Sequence, residues 1–148
     1  MTPTPPVQPA TPELATVEVG TELPPLELTF TRADLVRYAG ASGDFNPIHW
    51  SDRAAAQLGL ESVIAHGLFT MGRALRVVTD WVGDPGRVRS YFVRFTKPVP
   101  VPDTDDGVVV RVSARVTAVD GDVVTLALDA LCDETRVLGA AKVEVSLA

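Results

Sequence analysis

An aspartate and a histidine in the first half of the chain could together carry out proton chemistry. Asp44 and His49 flank the turn-forming pair Asn46-Pro47, so both side chains can face one small pocket. A carboxylate and an imidazole side by side can manage two protons, which the addition or elimination of water requires. The same residues also allow a structural interpretation, in which Asp44 forms an Asx turn and His49 is a surface or satisfied core residue. Residue types alone leave both interpretations open.

The second histidine of the chain, His66, directly precedes Gly67 at the predicted start of a long apolar helix. The first N–H groups of a helix have no partner within it and lie at the positive end of its dipole, which suits a developing oxyanion. Glycine there would let a substrate approach the backbone closely. The alternative is an ordinary cap, with His66 near the N-cap position and Gly67 merely permissive.

Neither a resident metal ion nor a cysteine nucleophile is expected. Asp44, His49 and Asp52 could suggest metal ligands, but a site needs three or more donors that converge, and the sequence offers few. The single cysteine, Cys132, alternates with apolar residues of a predicted strand. It is therefore expected to be a small core residue.

The elements around the Asp44–His49 turn are predicted to be a strand and two helices. A first strand is expected at 23–30. The run Thr31-Arg32-Ala33-Asp34 has the spacing of a capping box, with apolar residues following at helical intervals until Gly43. Ser51 is placed to cap a short helix at 52–58.

The segment 67–82 is predicted to be one long buried helix. Its apolar residues cover nearly the whole circumference, and only Arg73, Arg76 and Asp80 form a polar stripe. A helix that is apolar almost all round is buried rather than laid on a surface.

From Val88 onward the hydrophobic period changes from 3.6 to 2, which is typical of half-buried antiparallel strands. Strands are predicted at 89–99, 108–118, 123–131 and 136–147, with Asp120-Gly121 as a two-residue hairpin turn. Helices gathered on one side of an antiparallel sheet make an α+β domain. A long central helix wrapped by such a sheet predicts the hot-dog fold.

Two segments of the chain resemble the MaoC-like (R)-specific hydratase/dehydratase family, close to the catalytic subunits of actinobacterial (3R)-hydroxyacyl-ACP dehydratases. They are the run from Tyr38 to Asp52, with its D-x-N-P-x-H element, and the run from Val63 to Thr70, with His66-Gly67. The resemblance is detailed over about 31–95 and continues beyond it only as a strand pattern.

The resemblance implies roles for individual residues. Asp44 and His49 would be the catalytic pair, Gly67 would supply an oxyanion-hole N–H, and Asn46 and His66 would support the site. Several family members place a serine six residues after the histidine that precedes the glycine, where this chain has Gly72. A hydroxyl at that place is therefore absent or comes from elsewhere, with Thr70 as a candidate that we leave outside the predicted site.

The activity implied by the resemblance is the reversible dehydration of (3R)-3-hydroxyacyl thioesters to trans-2-enoyl thioesters, in fatty-acid or related acyl metabolism. It needs no cofactor, and coenzyme A or acyl-carrier protein is the handle of the substrate. The family also implies a homodimer, or a heterodimer with a paralogous hot-dog subunit. Two other functions fit the same fold, namely an acyl thioesterase and a non-catalytic acyl-binding subunit of a heterodimer.

Four basic residues in and beside the first long strand, Arg87, Arg89, Arg94 and Lys97, are predicted to be a solvated strand edge. Alternatively, they form a dock for a phosphopantetheine phosphate or an acidic carrier protein.

Composition restricts the partners and the compartment. Thirteen basic and 19 acidic side chains give a net charge of −6, which argues against nucleic acid or an anionic membrane as the main partner. A lone cysteine fits a reducing compartment, and we see neither a signal peptide nor a membrane-spanning run, so a cytoplasmic protein is expected. Residues 1–13, rich in proline, are predicted to be a flexible tail, and residues 14–148 one domain.

Overall fold

The computed structural model describes residues 12–148 of the chain. The predicted proline-rich tail lies outside the described residues except for Pro12 and Glu13, and the first short 3-10 helix is Leu14–Thr16. No helix in this part of the chain is long and apolar enough to cross a membrane.

Five strands and three α-helices make up the domain. In chain order they are β1 (Leu26–Phe30), α1 (Arg32–Ser42), α2 (Asp52–Gln57), α3 (Gly67–Val82), β2 (Val88–Phe95), β3 (Val108–Asp120), β4 (Val123–Cys132) and β5 (Thr135–Ser146), with short 3-10 helices at Pro47–His49 and Pro85–Arg87. The strands form one antiparallel sheet in the order β1-β3-β4-β5-β2. With α3 as the central helix of this sheet, the α+β hot-dog fold is confirmed.

The local signals of the sequence act as predicted around α1. The Thr31 side chain accepts a hydrogen bond from the Asp34 N–H, the Asp34 carboxylate accepts one from the Thr31 N–H, and both bonds of the capping box are therefore present. Gly43 ends the helix with φ 76°, a left-handed conformation that glycine adopts without strain.

Several strand bounds differ from the prediction. Strand β1 begins at Leu26 because Pro24 and Pro25 supply no N–H to the ladder. Strand β2 ends at Phe95, before Pro98, and the segment that follows pairs instead with 63–65 through Ala65 N–H to Val99 O. The hairpin turn is Gly121-Asp122, one residue later than predicted, because Asp120 still pairs with Val123.

The core lies between α3 and one face of the sheet. Ala74, Val77, Val78 and Val82 of α3 are buried with the inward residues of β3 and β4, such as Val112 and Leu126. The predicted burial of α3 outside a polar stripe of Arg73, Arg76 and Asp80 is only partly met in the described residues. Leu68 is 63% exposed, and Gly72, Arg76 and Asp80 continue an exposed stripe along the helix.

Strand β5 is irregular in the part that lies near the site. Its pairing with β4 shifts register between Ala127 and Ala130 and again before Leu131, and Ala140 has φ 47°. A bulge reverses the alternation of side chains along a strand. Two consecutive residues of β5, Val137 and Leu138, are accordingly both 1% exposed.

Candidate active site

Asp44 and His49 face each other as the sequence predicts. The Asp44 Oδ2 atom lies 3.9 Å from His49 Nε2, with the imidazole buried and about half of the carboxylate side chain exposed. The other ring nitrogen, Nδ1, is 2.7 Å from the Ile64 carbonyl oxygen. Because a carbonyl can only accept, Nδ1 carries the proton in the neutral ring, and the lone pair of Nε2 is directed towards the carboxylate. His49 is therefore held in the tautomer of a base.

The loop between these two residues is fixed by local hydrogen bonds. Asp44 Oδ1 accepts from the Asn46 N–H, and Asn46 Oδ1 accepts from the Ile48 N–H, which caps the short helix that carries His49. Asp44 thus forms the Asx turn of the structural interpretation with one oxygen and faces His49 with the other. Asn46 holds the loop, and its backbone carbonyl accepts from the His49 N–H.

His66 contacts both members of the Asp44–His49 pair. Its ring stacks on His49 with 3.7 Å between centroids and 22° between planes, and its Nε2 lies 3.1 Å from the Asp44 carbonyl oxygen. The ring of Tyr38 contacts it edge-on, with 4.9 Å between centroids. Burial lowers the pKa of His66 below its usual value, against the hydrogen bond to the Asp44 carbonyl, which raises it.

Gly67 is the first residue of α3, so its N–H has no partner within the helix. A Cβ at this position would lie 3.1 Å from the ring of Phe95, closer than ordinary contact. A side chain at position 67 would therefore require the ring of Phe95 to shift by a few tenths of an ångström. Sequence analysis gave no signal for the Phe95 contact, because the two residues lie in different elements and meet only in the folded sheet.

A cavity of about 340 Å³ has both His49 and Gly67 in its wall. Its polar end holds His49, Gly67 and Thr70, and its apolar wall comes from both sides of the sheet edge: Ile64, Phe95, Val99, Val137 and Leu138. Such a volume suits a small ligand. A larger cavity of about 670 Å³ on the opposite face of the sheet contains Arg136 and its ion-pair partner Asp129 but neither histidine. We assign the candidate site to the smaller cavity because it contains a histidine, although its volume is the lower of the two.

Thr70 places at the cavity the hydroxyl that Gly72 cannot supply. Gly72 is exposed and lies on the outer stripe of α3, whereas Thr70 is buried, lines the cavity and donates a hydrogen bond to the His66 carbonyl at 3.2 Å. Thr70 is thus a residue of the site that sequence analysis left out. Its position one turn into α3, beside Gly67, was the available signal.

Three potential metal ligands do converge, contrary to the reasoning from sequence. Each of the three residues, Asp44, His49 and His66, offers one ligand atom, and these atoms all lie within 4.8 Å of one another. However, the rings of His49 and His66 are stacked nearly parallel, with 22° between their planes. The lone pairs of two stacked rings run in separate planes, which is a poor arrangement for binding one ion. The geometry fits proton transfer better.

The four basic residues of the predicted strand edge divide into two pairs. Arg87 donates to the Ser146 carbonyl, and Arg89 lies 3.5 Å from Asp122 and 3.0 Å from Ser146 Oγ, so both tie β2 to the end of β5. Arg94 and Lys97 have no ion-pair partner within residues 12–148, and Lys97 lines the cavity. Only the second pair is available to a ligand.

Comparison with known proteins places the chain in a family. Residues 15–130 match the MaoC like domain, and the chain therefore belongs to this family. It is 44% identical over 85 residues to the 3-hydroxyacyl-thioester dehydratase X of Mycobacterium tuberculosis, an alignment that covers 56% of this chain and 29% of that protein. It is 34% identical over 109 residues to the 3-oxo-4,17-pregnadiene-20-carboxyl-CoA hydratase beta subunit of the same organism, covering 73% of this chain and 80% of the relative.

A solved structure of a MaoC-like dehydratase superposes with a TM-score of 0.89 and 36% identity, over 95% of this chain and 44% of that one. The chain therefore spans less than half the length of this structure and of dehydratase X. These proteins share the domain that carries the site described above.

Proposed function

We propose that the chain catalyses the reversible hydration and dehydration of trans-2-enoyl and (3R)-3-hydroxyacyl thioesters. The observation that carries the proposal is the 3.9 Å separation of Asp44 Oδ2 from His49 Nε2, the ring nitrogen that the Ile64 carbonyl leaves free, with His49 and Gly67 both lining one cavity. Relatives named as a thioester dehydratase and a CoA hydratase support it.

The proposed reaction needs one proton on the Asp44–His49 pair. In the dehydration direction, His49 Nε2 takes the proton from C2 of the substrate while the acid form of Asp44 gives its proton to the C3 hydroxyl, which leaves as water. The pair then again holds one proton, now on His49. Water at the half-exposed carboxylate can return it to Asp44.

The thioester carbonyl gains negative charge when C2 loses its proton. In the proposed geometry its oxygen accepts a hydrogen bond from the Gly67 N–H, which lies at the positive end of the α3 dipole. The apolar wall of the cavity, with Val137 and Leu138, receives the acyl chain. Coenzyme A or acyl-carrier protein would carry the thioester, and no step in this mechanism uses a metal or redox cofactor.

The assay that tests the proposal uses crotonyl-CoA. Hydration removes the absorbance of the conjugated enone and leaves the thioester intact, whereas a thioesterase of the same fold releases free coenzyme A, which a thiol reagent detects. We expect loss of enone without thiol release. Thiol release at the rate of enone loss would assign a thioesterase, and no change in either signal would favour the acyl-binding subunit. A variant with both Asp44→Asn and His49→Ala is the matched blank.

We also propose that the domain associates with a second hot-dog domain. Within the described part of the chain, strand β2 pairs only with β5, so its other edge has unpaired backbone groups there, and Phe92 on this strand is 55% exposed. The exposed stripe of α3 that begins at Leu68 is a second open surface. The name of one relative as a beta subunit agrees with such an assembly.

A further inference from the structure

His66 contacts both members of the acid–base pair in different ways. Its Nε2 lies 3.1 Å from the backbone oxygen of Asp44, and its ring stacks on the imidazole of His49. The Asp44 contact spans 22 residues of sequence. His66 therefore connects the start of α3 with the two ends of the catalytic loop.

The side chain of His66 is not occupied as a helix cap. His66 is the N-cap residue of α3 by position, yet its side chain makes no capping hydrogen bond. The structural alternative that the sequence left open, an ordinary cap, thus describes the backbone of this residue but not its ring. The ring is 98% buried and is directed towards the site instead.

The protonation of the ring follows from its partners. The Asp44 carbonyl can only accept, so Nε2 carries the proton of the neutral form and Nδ1 has the lone pair. Nδ1 is buried and has no hydrogen-bond partner in the described part of the chain. A proton added there would be desolvated and would place a cation against the His49 ring. Both effects keep His66 neutral.

We propose that His66 is a positioning residue, which sets the separation and orientation of Asp44 and His49 by donating from Nε2 to the Asp44 carbonyl and by stacking on the His49 ring. The kinetic part of this inference rests on the proposed hydratase function. Its spectroscopic part does not.

The first test measures the tautomers of the histidine rings by long-range proton–nitrogen NMR of the untagged, nitrogen-15-labelled protein. The chain has only two histidines, so two ring patterns are expected, and the His66→Phe variant assigns them. We expect His49 to be protonated on Nδ1 and His66 on Nε2. A proton on Nδ1 of His66, or rapid exchange between its two tautomers, would overturn the proposal whatever the protein catalyses.

The second test separates the two contacts with a matched pair of variants. His66→Gln keeps an N–H donor at the reach of Nε2 but loses the ring, and His66→Phe keeps a stacking ring but loses the donor. Since a misplacement of about 1 Å can cost about 10²-fold in rate, we expect each variant to lower kcat by about 10- to 10²-fold, with little change in KM and with a melting temperature near that of the parent.

A double-mutant cycle distinguishes positioning from general structural support. In a His49→Ala background only the contact with Asp44 remains, so changing His66 should lower the residual kcat much less than it lowers the parental kcat. An equal fall of kcat in both backgrounds would show that His66 does not act through His49 and would overturn the proposal. Full activity in both His66→Gln and His66→Phe would do the same. Absence of enoyl-thioester turnover in the parent would count against the proposed function alone, since the NMR result stands by itself.

Discussion

The two carboxylate oxygens of Asp44 have different neighbours. Oδ1 accepts from the Asn46 N–H and shapes the turn, while Oδ2 faces His49. Asparagine keeps an oxygen for the turn and removes only the acid. Asp44→Asn is therefore the change that separates the two roles, whereas alanine would disturb both.

Replacing either member of the pair should lower turnover without unfolding the protein. We expect Asp44→Asn and His49→Ala each to reduce kcat on an enoyl thioester by about 10²–10⁴-fold, the usual value of a positioned acid or base. Circular dichroism and thermal melts provide the control for folding. Turnover at the parental rate in either variant would remove that residue from the mechanism.

The lowered pKa of His66 predicts how stability depends on pH. A base whose pKa is lower in the folded state is charged first in the unfolded chain, so stability is complete above about pH 6.5, begins to fall there, and is fully lost once the pH is below the lowered pKa. The melting temperature should therefore fall as the pH is lowered below about pH 6.5.

The matched control for this pH dependence is His66→Phe, in which the slope should be shallower. The other ionisable groups that face the ring, on Tyr38, Asp44 and His49, are the same in both proteins. Parallel melting curves for the two proteins across this range would contradict a buried neutral His66.

At the residue scale, the meeting of Asp44 and His49 could be predicted but the contacts of His66 could not. Asp44 and His49 lie in one short motif, and their meeting depends on local turn geometry that Asn46-Pro47 signals. The stacking of His66 on His49 depends on the segment 63–65, which pairs with 99–101 and carries the carbonyl of Ile64 to the His49 ring. Such long-range pairing has no signature in a sequence window.

At the scale of elements, the start of α3 packs against the end of β2, where Gly67 faces the ring of Phe95. Gly67→Ala and Gly67→Pro would each place a Cβ 3.1 Å from the ring of Phe95, so the two variants have this steric contact in common. They differ in the N–H, which proline lacks. Because Gly67 is the first helical residue, proline is compatible with the helix there.

Comparing these two variants should isolate the backbone donor. We expect Gly67→Pro to turn over about 10²–10³-fold more slowly than Gly67→Ala, which is the usual cost of one oxyanion-hole donor. Phe95 is 54% exposed and can yield, so Gly67→Ala should retain much of the parental activity, and adding Phe95→Leu should restore part of any loss. Binding of an unreactive acyl-thioester analogue shows whether the proline ring blocks the site. Equal turnover of the two variants would exclude the Gly67 N–H from catalysis.

Helices and strand periods could be predicted well at this scale, whereas the shape of the cavity could not. The capping box at Thr31 and the 67–82 helix follow from local spacing. The consecutive burial of Val137 and Leu138 results from bulges in β5, which depend on how β5 aligns with both of its neighbours.

For the whole molecule, the open edge of β2 predicts assembly. We expect light scattering to give the mass of a dimer, alone or with a paralogous partner, because an unpaired edge strand with exposed apolar residues is usually paired or protected. Substituting lysine for Phe92 on this strand should shift the protein towards monomer. A monomer with full activity would contradict the prediction.

Charge at the mouth of the cavity predicts how substrate binding responds to salt. Lys97 lines the cavity, and Arg94 is exposed on β2 three residues before it. Lys97→Glu and Arg94→Glu should raise KM for a CoA thioester more than they lower kcat, and added salt should do the same to the parent by screening exposed charges. Arg115→Glu, on the opposite face of the sheet, is the control of equal charge change. A KM that neither salt nor these substitutions alter would place the carrier elsewhere.

The order of strands in the sheet has a consequence for how the protein folds. Among the strands of residues 12–148, β2 hydrogen-bonds only to β5, and the contact between Arg89 and Ser146 spans 57 residues. The hairpin of β3 and β4 can form early, because its contacts are local in sequence. The pairing of β2 requires that β5 is already in place, and contacts between residues so distant in sequence make folding slow. Phe95 can therefore reach Gly67 only after β5 has docked. Enzymatic activity during refolding should appear in the slowest phase, after most of the secondary structure has been recovered.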